Sequence, residues 1–354
     1  MVDRLVMFDT AEGFAAGTHL RTQLQSGSVP GVRLVDGAAK SFPRNGVWTS
    51  PELMSEFPFT ELLPSWNVQT PPETGIAVEV RVRDRRRQEW SPWLYCGSWG
   101  RIAPATQRTI SFRRGIVNVD NLVLDRPADA IQARVTFQSF TLDPASSPLL
   151  RRLSFCYSGI VRSEAEREKL APHAALSATW ARDLPVPFRT QKDAPPAISP
   201  EICSPTSVSM VMSFWGVDRT TVENALAIYD ADHRMFGNWN RAVARAGDFG
   251  LDAWLDRFRN WDKVKAEIAQ GRPVIASIAF KKGEFPSSVL SATGGHLIVI
   301  RGFTPAGDII VNDPANPTRG SDAIYKADEL ARAWFAHGGV GYVIAGKGPV
   351  AVAR

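Results

Sequence analysis

Residues 1–161 carry the two-residue periodicity of β-strands. Apolar and polar side chains alternate in short runs, and Gly, Pro, Asn and Asp separate these runs at the intervals of a sandwich. Helical periodicity is nearly absent here. The pattern therefore predicts an all-β domain of the sandwich or jelly-roll type, and its clearest strands are Gly75–Val82, Arg108–Phe112, Asn121–Leu124 and Ala130–Phe137.

The pattern changes after a stretch at 162–182 that is first charged and then rich in alanine, which is typical of a linker. From residue 183 onward, helical periodicity comes first and short apolar runs follow, so residues 183–354 are predicted to form an α+β domain. The predicted helices are Ser204–Trp215, Asn238–Arg245 and Trp261–Gln270, and the predicted strands are Val274–Phe280, His296–Phe303, Asp308–Val311 and Val340–Ala345.

Length and composition agree with two folded domains. The chain has 354 residues, with 44% hydrophobic and 22% charged residues, and this length is about twice that of a usual domain. The longest apolar runs are shorter than the roughly 18 residues of a membrane span, so we expect none. The N-terminus shows no signal-peptide pattern. We therefore expect a soluble protein, exported only if a leader has been removed, and the compartment stays open.

The charge is only +5, and its densest basic cluster lies at Arg81–Arg87. This cluster follows a predicted strand and precedes Trp90, which is typical of a solvated hairpin tip. No pattern of stacking aromatic residues or nucleic-acid motif accompanies it, so nucleic acid is not an expected partner.

Three cysteines and five histidines limit the other kinds of site. The cysteines are too few and too scattered for a zinc site or a disulfide framework, and no two histidines have metal-ligand spacing. We therefore expect no metal and no cofactor. A disulfide between Cys96 and Cys156 remains an open alternative to two buried thiols.

Cys203 is the candidate nucleophile. Pro205 is suited to the first turn of a helix. Val208, Val211, Met212 and Trp215 follow with the spacing of one buried helix face, and this places Cys203 at the helix N-terminus. Unpaired N–H groups and the helix dipole there stabilise an anion, which lowers the pKa of a thiol. A small buried cysteine is the alternative.

His296 and Asp313 are the candidate base and its orienting carboxylate. His296 follows Gly294 and Gly295 at the start of an apolar strand, and Asp313 ends the next strand. A hairpin that turns at 304–307 brings Asp313 opposite residues 296–299, within roughly 10 Å of His296. A carboxylate there orients the imidazole that takes the thiol proton. His337 is a weaker candidate base, since its Gly-rich surroundings indicate a surface loop.

These motifs resemble a known family. Residues 183–347 are similar to papain-like cysteine peptidases related to the bacteriocin-processing, double-glycine cysteine peptidases. The similarity rests on Gln191, on Cys203 in Cys-Ser-Pro-Thr-Ser, on His296 in Gly-Gly-His-Leu-Ile-Val-Ile, and on Asp313 in Asn-Asp-Pro.

The resemblance implies a papain-like cysteine peptidase domain with Cys203, His296 and Asp313 as its catalytic triad. It also implies that Gln191 donates to the oxyanion hole together with the Cys203 backbone N–H. One departure is Ser204, where the family commonly has glycine. The serine either tightens the oxyanion region or caps the helix. The whole arrangement also looks like that of bacterial, often exported, proteins.

The expected activity is hydrolysis of a peptide or amide bond, with a peptide or peptidoglycan-like substrate. Acyl transfer, as in transglutaminase-like enzymes, uses the same order of residues and differs only in the acceptor. A non-catalytic glycan- or peptide-binding protein is the alternative from another class. In that alternative the N-terminal domain contacts glycans through exposed aromatic rings, although tryptophans at such positions are more often core residues; the candidates are Trp48, Trp66, Trp90, Trp93 and Trp99.

Overall fold

A computed structural model describes residues 1–25, 27–35, 43–103, 108–143, 145–161, 163 and 180–346. The chain divides into two compact units, Met1–Ala171 and Pro172–Arg354. Most of the predicted linker lies outside the described residues. Its last residues already belong to the second unit, where the Trp180 ring meets the Phe303 ring edge-on at 5.7 Å between centroids.

The N-terminal unit is all-β, as predicted. Its described strands form one twelve-stranded sheet in which every pairing is antiparallel. The strands are β1 (Val2–Phe8), β2 (Thr18–Leu20), β3 (Thr22–Leu24), β4 (Val32–Leu34), β5 (Arg44–Thr49), β6 (Leu53–Gln69), β7 (Thr74–Asp84), β8 (Leu94–Gly100), β9 (Ser111–Phe112), β10 (Gly115–Asn118), β11 (Asn121–Ser139) and β12 (Leu149–Gly159), and one short helix, α1 (Ala11–Ala15), follows β1.

The long strand β11 joins two of the predicted strands into one. It pairs with β5, β6, β7 and β10 along its length, with register shifts near Ala128. Such shifts bend a strand and let it change partners, which gives the sheet its sandwich-like or near-barrel form. The inward residues of β11 alternate with outward ones, so a period of two dominates the sequence pattern.

Large aromatic side chains fill the interior of this sheet. Trp48 and Trp66 are fully buried and Trp99 nearly so, so the hypothesis that these three rings stack on glycans is wrong. Trp90 and Trp93 remain partly exposed. Cys96 and Cys156 are both buried, and no disulfide joins them.

The C-terminal unit is α+β, as predicted, with one six-stranded antiparallel sheet in the order β13-β18-β14-β15-β16-β17. Its strands are β13 (Asp252–Arg257), β14 (Val274–Phe280), β15 (Thr293–Phe303), β16 (Ile309–Asn312), β17 (Ala323–Tyr325) and β18 (Val340–Ala345). Its helices are α2 (Cys203–Phe214), α3 (Thr221–Ile228), α4 (Trp239–Asp248), α5 (Trp261–Ala269) and α6 (Ala327–Trp334), with 3-10 turns at Gln191–Asp193, Ser199–Glu201 and Phe335–His337.

Four of these elements, α3, α6, β13 and β17, are missing from the predictions made from sequence. Helix α3 is short and its exposed Leu226 disturbs the apolar stripe, although Thr220 and Glu223 form a capping box that marks its start. Strand β17 has three residues, too few to show periodicity. No helix in the described part of the chain is both long and apolar enough to span a bilayer.

Candidate active site

Cys203 is the first residue of helix α2 and is partly exposed. The preceding residue, Ile202, has no side-chain group that can cap the helix, so the first-turn N–H groups stay available to the cysteine sulfur. The backbone N–H groups of Ser204 and Leu297 donate hydrogen bonds to that sulfur. The predicted position of Cys203 at a helix N-terminus therefore agrees with the structure.

The rest of α2 is buried on nearly all sides, whereas the sequence suggested a single apolar stripe. The hydroxyl groups of Thr206, Ser207 and Ser209 are accommodated because each donates to a carbonyl oxygen. Thr206 Oγ1 donates to Ile202 O at 2.6 Å, and Ser207 Oγ donates to Leu297 O at 3.1 Å. The second bond ties the first turns of α2 to strand β15 beside His296, which fixes the cysteine relative to the histidine.

His296 lies near the start of β15 and is buried. Strand β16 pairs with β15 after a turn at 304–307, with Val299 opposite Asn312, so Asp313 follows directly on the edge nearest the histidine. His296 Nε2 donates to Asp313 Oδ1 at 2.8 Å. The other ring nitrogen, Nδ1, is then left for Cys203, whose thiol is close enough for the two side chains to shift each other's pKa. The structure thus brings the three predicted residues together.

The charges and burial of Cys203, His296 and Asp313 favour a thiolate on the cysteine and an imidazolium on the histidine. Burial raises the pKa of Cys203, but the hydrogen bond and charge of His296 outweigh it and lower the pKa below the usual thiol range. Burial likewise lowers the pKa of His296, while the charge and hydrogen bond of Asp313 raise it to about 10. The pKa of Asp313 is lowered by His296 against the effect of its own burial.

Gln191, in its 3-10 turn, is buried and held at both ends. Its backbone N–H donates to Pro314 O at 3.0 Å, next to Asp313. Its side-chain Nε2 donates to Ser199 O at 2.8 Å, in the turn that leads to Cys203. Its Oε1 has no hydrogen-bond partner among the described residues. The amide is thus oriented between the segments that carry the cysteine and the aspartate, and one of its two N–H groups makes no hydrogen bond to the described residues.

Two family models match the chain. Residues 183–342 match the Peptidase_C39 like family, and residues 4–158 match the Peptidase C39 N-terminal domain. The C-terminal region is a Peptidase C39-like domain, and a Peptidase C39 N-terminal domain precedes it. The resemblance inferred from Gln191, Cys203, His296 and Asp313 is therefore confirmed at the level of the family, and membership suggests a cysteine peptidase.

Solved structures resemble each half of this C39-like chain. A double glycine motif protease from an AMS/PCAT transporter, solved with its leader peptide, is 20% identical over 48% of this chain and 96% of its own, with a TM-score of 0.34. A C39-like peptidase from Bacillus anthracis is 13% identical over 48% of this chain and 100% of its own, with a TM-score of 0.36.

For the other half, CBM22-1–GH10 modules of a Clostridium thermocellum xylanase, solved with xylohexaose, are 12% identical over 43% of this chain and 28% of theirs, with a TM-score of 0.25. No curated protein sequence matches the chain.

The C39-like site also contains a residue that sequence reasoning missed, Tyr325. Its hydroxyl donates to Asp313 Oδ2 at 2.7 Å and accepts the Val289 N–H at 3.2 Å. Burial raises the pKa of this phenol, so it stays a donor. Because Tyr325 ends a three-residue strand twelve positions after Asp313, no periodicity or motif marks it. Through these two hydrogen bonds Tyr325 fixes the position of Asp313 relative to the β14–β15 connection.

We expect Tyr325→Phe to lower kcat by about tenfold, because a charge-assisted hydrogen bond to Asp313 is worth roughly 1.5–3 kcal/mol. The substitution should lower kcat and leave KM nearly unchanged, since Tyr325 acts on the reaction through Asp313 and His296. The alkaline limb of the pH profile should also change, which a merely structural role would not produce. Tyr229→Phe is the matched control because Tyr229 is on the surface of the same unit. Unchanged kcat and pH limbs in Tyr325→Phe would contradict this role.

Ser204, the departure from the common family pattern, does not cap the helix. Its side chain is fully buried, and its Oγ lies 3.2 Å from Tyr342 Oη. The suggestion that Ser204 caps α2 is therefore wrong, because the serine is already inside the first turn and its hydroxyl is directed to strand β18.

The glycines before His296 lie on the open side of the site. A Cβ added to Gly294 or to Gly295 meets no atom within 4 Å in the described structure, and both residues are exposed. A bound chain can therefore approach the backbone just ahead of the histidine. His337 is exposed in the turn after α6, as its loop-like sequence indicated.

Proposed function

We propose that the C-terminal domain is a cysteine peptidase or related amide hydrolase with Cys203 as nucleophile, His296 as base and then acid, and Asp313 as the group that orients His296. The observation that carries this proposal is the hydrogen bond between the buried His296 imidazole and the buried Asp313 carboxylate, with Cys203 near enough for His296 to lower the pKa of its thiol. The position of Cys203 at the uncapped N-terminus of helix α2 adds support, because a helix N-terminus stabilises a thiolate.

In the proposed reaction the Cys203 thiolate attacks the carbonyl carbon of a peptide or amide bond. The oxygen gains negative charge and is stabilised by the Cys203 backbone N–H and by the uncommitted N–H of Gln191. The imidazolium of His296 gives its proton to the leaving amine as the C–N bond breaks, which leaves a thioester on Cys203. His296 then takes a proton from water, which attacks the thioester and releases the acid.

The proposed substrate is a peptide or a peptidoglycan-like peptide, and the open space beside Gly294 and Gly295 leaves room for such a chain. An amine in place of water at the last step would make the same site an acyltransferase. Product analysis separates the two, since hydrolysis leaves a free carboxylate and transfer leaves a new amide.

We expect Cys203 to react with iodoacetamide at neutral pH, with an apparent pKa below the usual thiol value of about 8.5. Its pKa is lowered by His296. Peptide cleavage should rise as pH increases through that pKa and fall again near pH 10, where the imidazolium of His296 loses its proton. Mass spectrometry of tryptic peptides identifies the alkylated cysteine at each pH.

The buried Cys96 and Cys156 are internal controls in this experiment. Burial and the nearby Glu79 raise the pKa of Cys96, so neither thiol should react in the folded protein. A library of peptides, screened with untreated and with alkylated protein, then tests the activity. Slow alkylation of Cys203 that needs alkaline pH, or peptide cleavage that survives its alkylation, would overturn the proposal.

A further inference from the structure

A small pocket lies in the N-terminal unit, and all of its lining residues belong to that unit. It is enclosed by the β7–β8 connection, the β9–β10 turn and residues 124–128 of β11, and has a volume of about 110 Å³. Drug-sized and cofactor sites usually have roughly 300–1,000 Å³. A pocket of this size accommodates one small ring and excludes larger molecules such as a whole dinucleotide. We call it the arginine pocket, because Arg113, Arg114 and Arg126 line it.

One wall of the arginine pocket is the ring of Trp90, which is held in place by Arg81, a residue that does not line the pocket. Trp90 lines the pocket, and the Arg81 guanidinium stacks over its ring at 4.7 Å from the ring centroid. Arg81 is itself fixed, because its Nε donates to Gln132 Oε1 at 2.8 Å. Phe112 and Pro92 add apolar surface. A flat ring that is already immobilised binds another ring at a low entropic cost.

The acidic groups of the arginine pocket are already engaged by Arg114. Arg114 is paired with both Asp84 and Glu89. Asp84 also accepts the backbone N–H groups of Arg86 and Arg87 at 3.0 and 2.7 Å, and these contacts together with Arg114 lower its pKa. This network fixes one guanidinium and engages both carboxylates, and the three arginines against two carboxylates leave the lining of the pocket with a net charge of +1.

Two other guanidinium groups of the arginine pocket have no acidic partner within the described ranges. Arg113 and Arg126 line the arginine pocket, are exposed, and have no ion pair or side-chain hydrogen bond within the described ranges. Arg85, Arg86 and Arg87 add exposed positive charge on the adjoining connection. The planar guanidinium fork matches a carboxylate with two parallel hydrogen bonds.

We propose that the arginine pocket binds a single sugar ring that carries a carboxylate, with the ring against Trp90 and the carboxylate on Arg113 and Arg126. The size of the pocket selects one ring, the indole supplies a stacking surface, and the two arginines select an acidic sugar over a neutral one. This site is independent of the proposed peptidase chemistry, and it gives the N-terminal domain a carbohydrate contact of defined charge.

Calorimetric titration of the full chain with glucuronate and with glucose tests this site. We expect saturable binding of glucuronate that weakens as ionic strength rises, and weaker binding of glucose. The double variant Arg113→Gln with Arg126→Gln should lose about tenfold or more in glucuronate affinity, the size expected when charge-assisted hydrogen bonds are removed. Both side chains are exposed, so the double variant should fold.

Arg332→Gln is the matched control, because Arg332 is an exposed arginine of the other unit, and it should bind as the unchanged protein does. Cys203→Ala should also bind normally, so a failure of the peptidase proposal leaves this test intact. The proposal is overturned if glucuronate does not bind, if glucose binds equally well, or if the double variant binds unchanged. It is also overturned if a mononucleotide competes with glucuronate and binds more tightly.

Discussion

Replacing Cys203 by alanine is expected to abolish peptide cleavage while leaving the C-terminal domain folded. Loss of a catalytic nucleophile lowers kcat by roughly 10⁵–10⁶-fold. The fold should persist because alanine is the best helix former, the residue is partly exposed, and His296 keeps its bond to Asp313. No buried charge is left without its partner. The measurement is the cleavage rate of a peptide found in the library screen, together with the thermal unfolding of both proteins.

Cys96→Ala is the matched control for this change. It removes a buried thiol of the N-terminal unit, so it should cost some stability of that unit and leave the cleavage rate unchanged. Cleavage by Cys203→Ala at a rate near that of the unchanged protein would show that the nucleophile is another group.

His296→Ala is expected to remove activity and, unlike Cys203→Ala, to destabilise the domain. Activity falls by roughly 10⁴–10⁶-fold, because the cysteine loses the group that lowers its pKa and the leaving amine loses its acid. The domain loses about 3–5 kcal/mol of unfolding free energy, since removing one partner of a buried ion pair leaves the other charge uncompensated. That remaining charge is Asp313, which is fully buried. Urea unfolding at several pH values measures the loss.

The part of this loss that comes from Asp313 depends on pH, and its sign follows from the direction of the Asp313 pKa. In the unchanged protein His296 holds that pKa low, so Asp313 contributes stability above the unfolded pKa of about 3.9, and this is lost as pH falls through the folded pKa. Without His296, burial raises the folded pKa above the unfolded value. The aspartate then costs stability as pH rises, so the stability that adding Asp313→Asn returns to His296→Ala should be larger at pH 8 than at pH 5.

A second variant separates the charge effect from loss of packing. Adding Asp313→Asn to His296→Ala removes the buried charge, so stability should partly return while activity does not. His337→Ala is the matched control at an exposed histidine and should change neither quantity. A rescue by Asp313→Asn that is the same at both pH values, or that is absent, would contradict the account of the buried ion pair.

The sequence alone determined the fold class of both domains. It also led to the hypothesis of one cysteine peptidase site made of Gln191, Cys203, His296 and Asp313. Alternation with a period of two marks the N-terminal sheet because its strands have one buried and one outward face. Strands β14 and β18 were predicted with the bounds that the structure has. The short turn at 304–307 placed Asp313 near His296, since a hairpin fixes the register of its strands. Such local rules act over a few residues, and residue spacing records them.

Only the tertiary structure decided which polar groups complete the site and which tryptophans are buried. Tyr325 reaches Asp313 because β17 pairs with β16, and Ser207 reaches Leu297 because α2 packs on β15. The burial of Trp48 and the partial exposure of Trp90 likewise depend on how distant strands fold over them. These contacts join residues far apart in sequence, and no local propensity encodes them. They arise when the apolar faces of α2 and the sheet pack together, which brings each hydroxyl to the one partner that satisfies it.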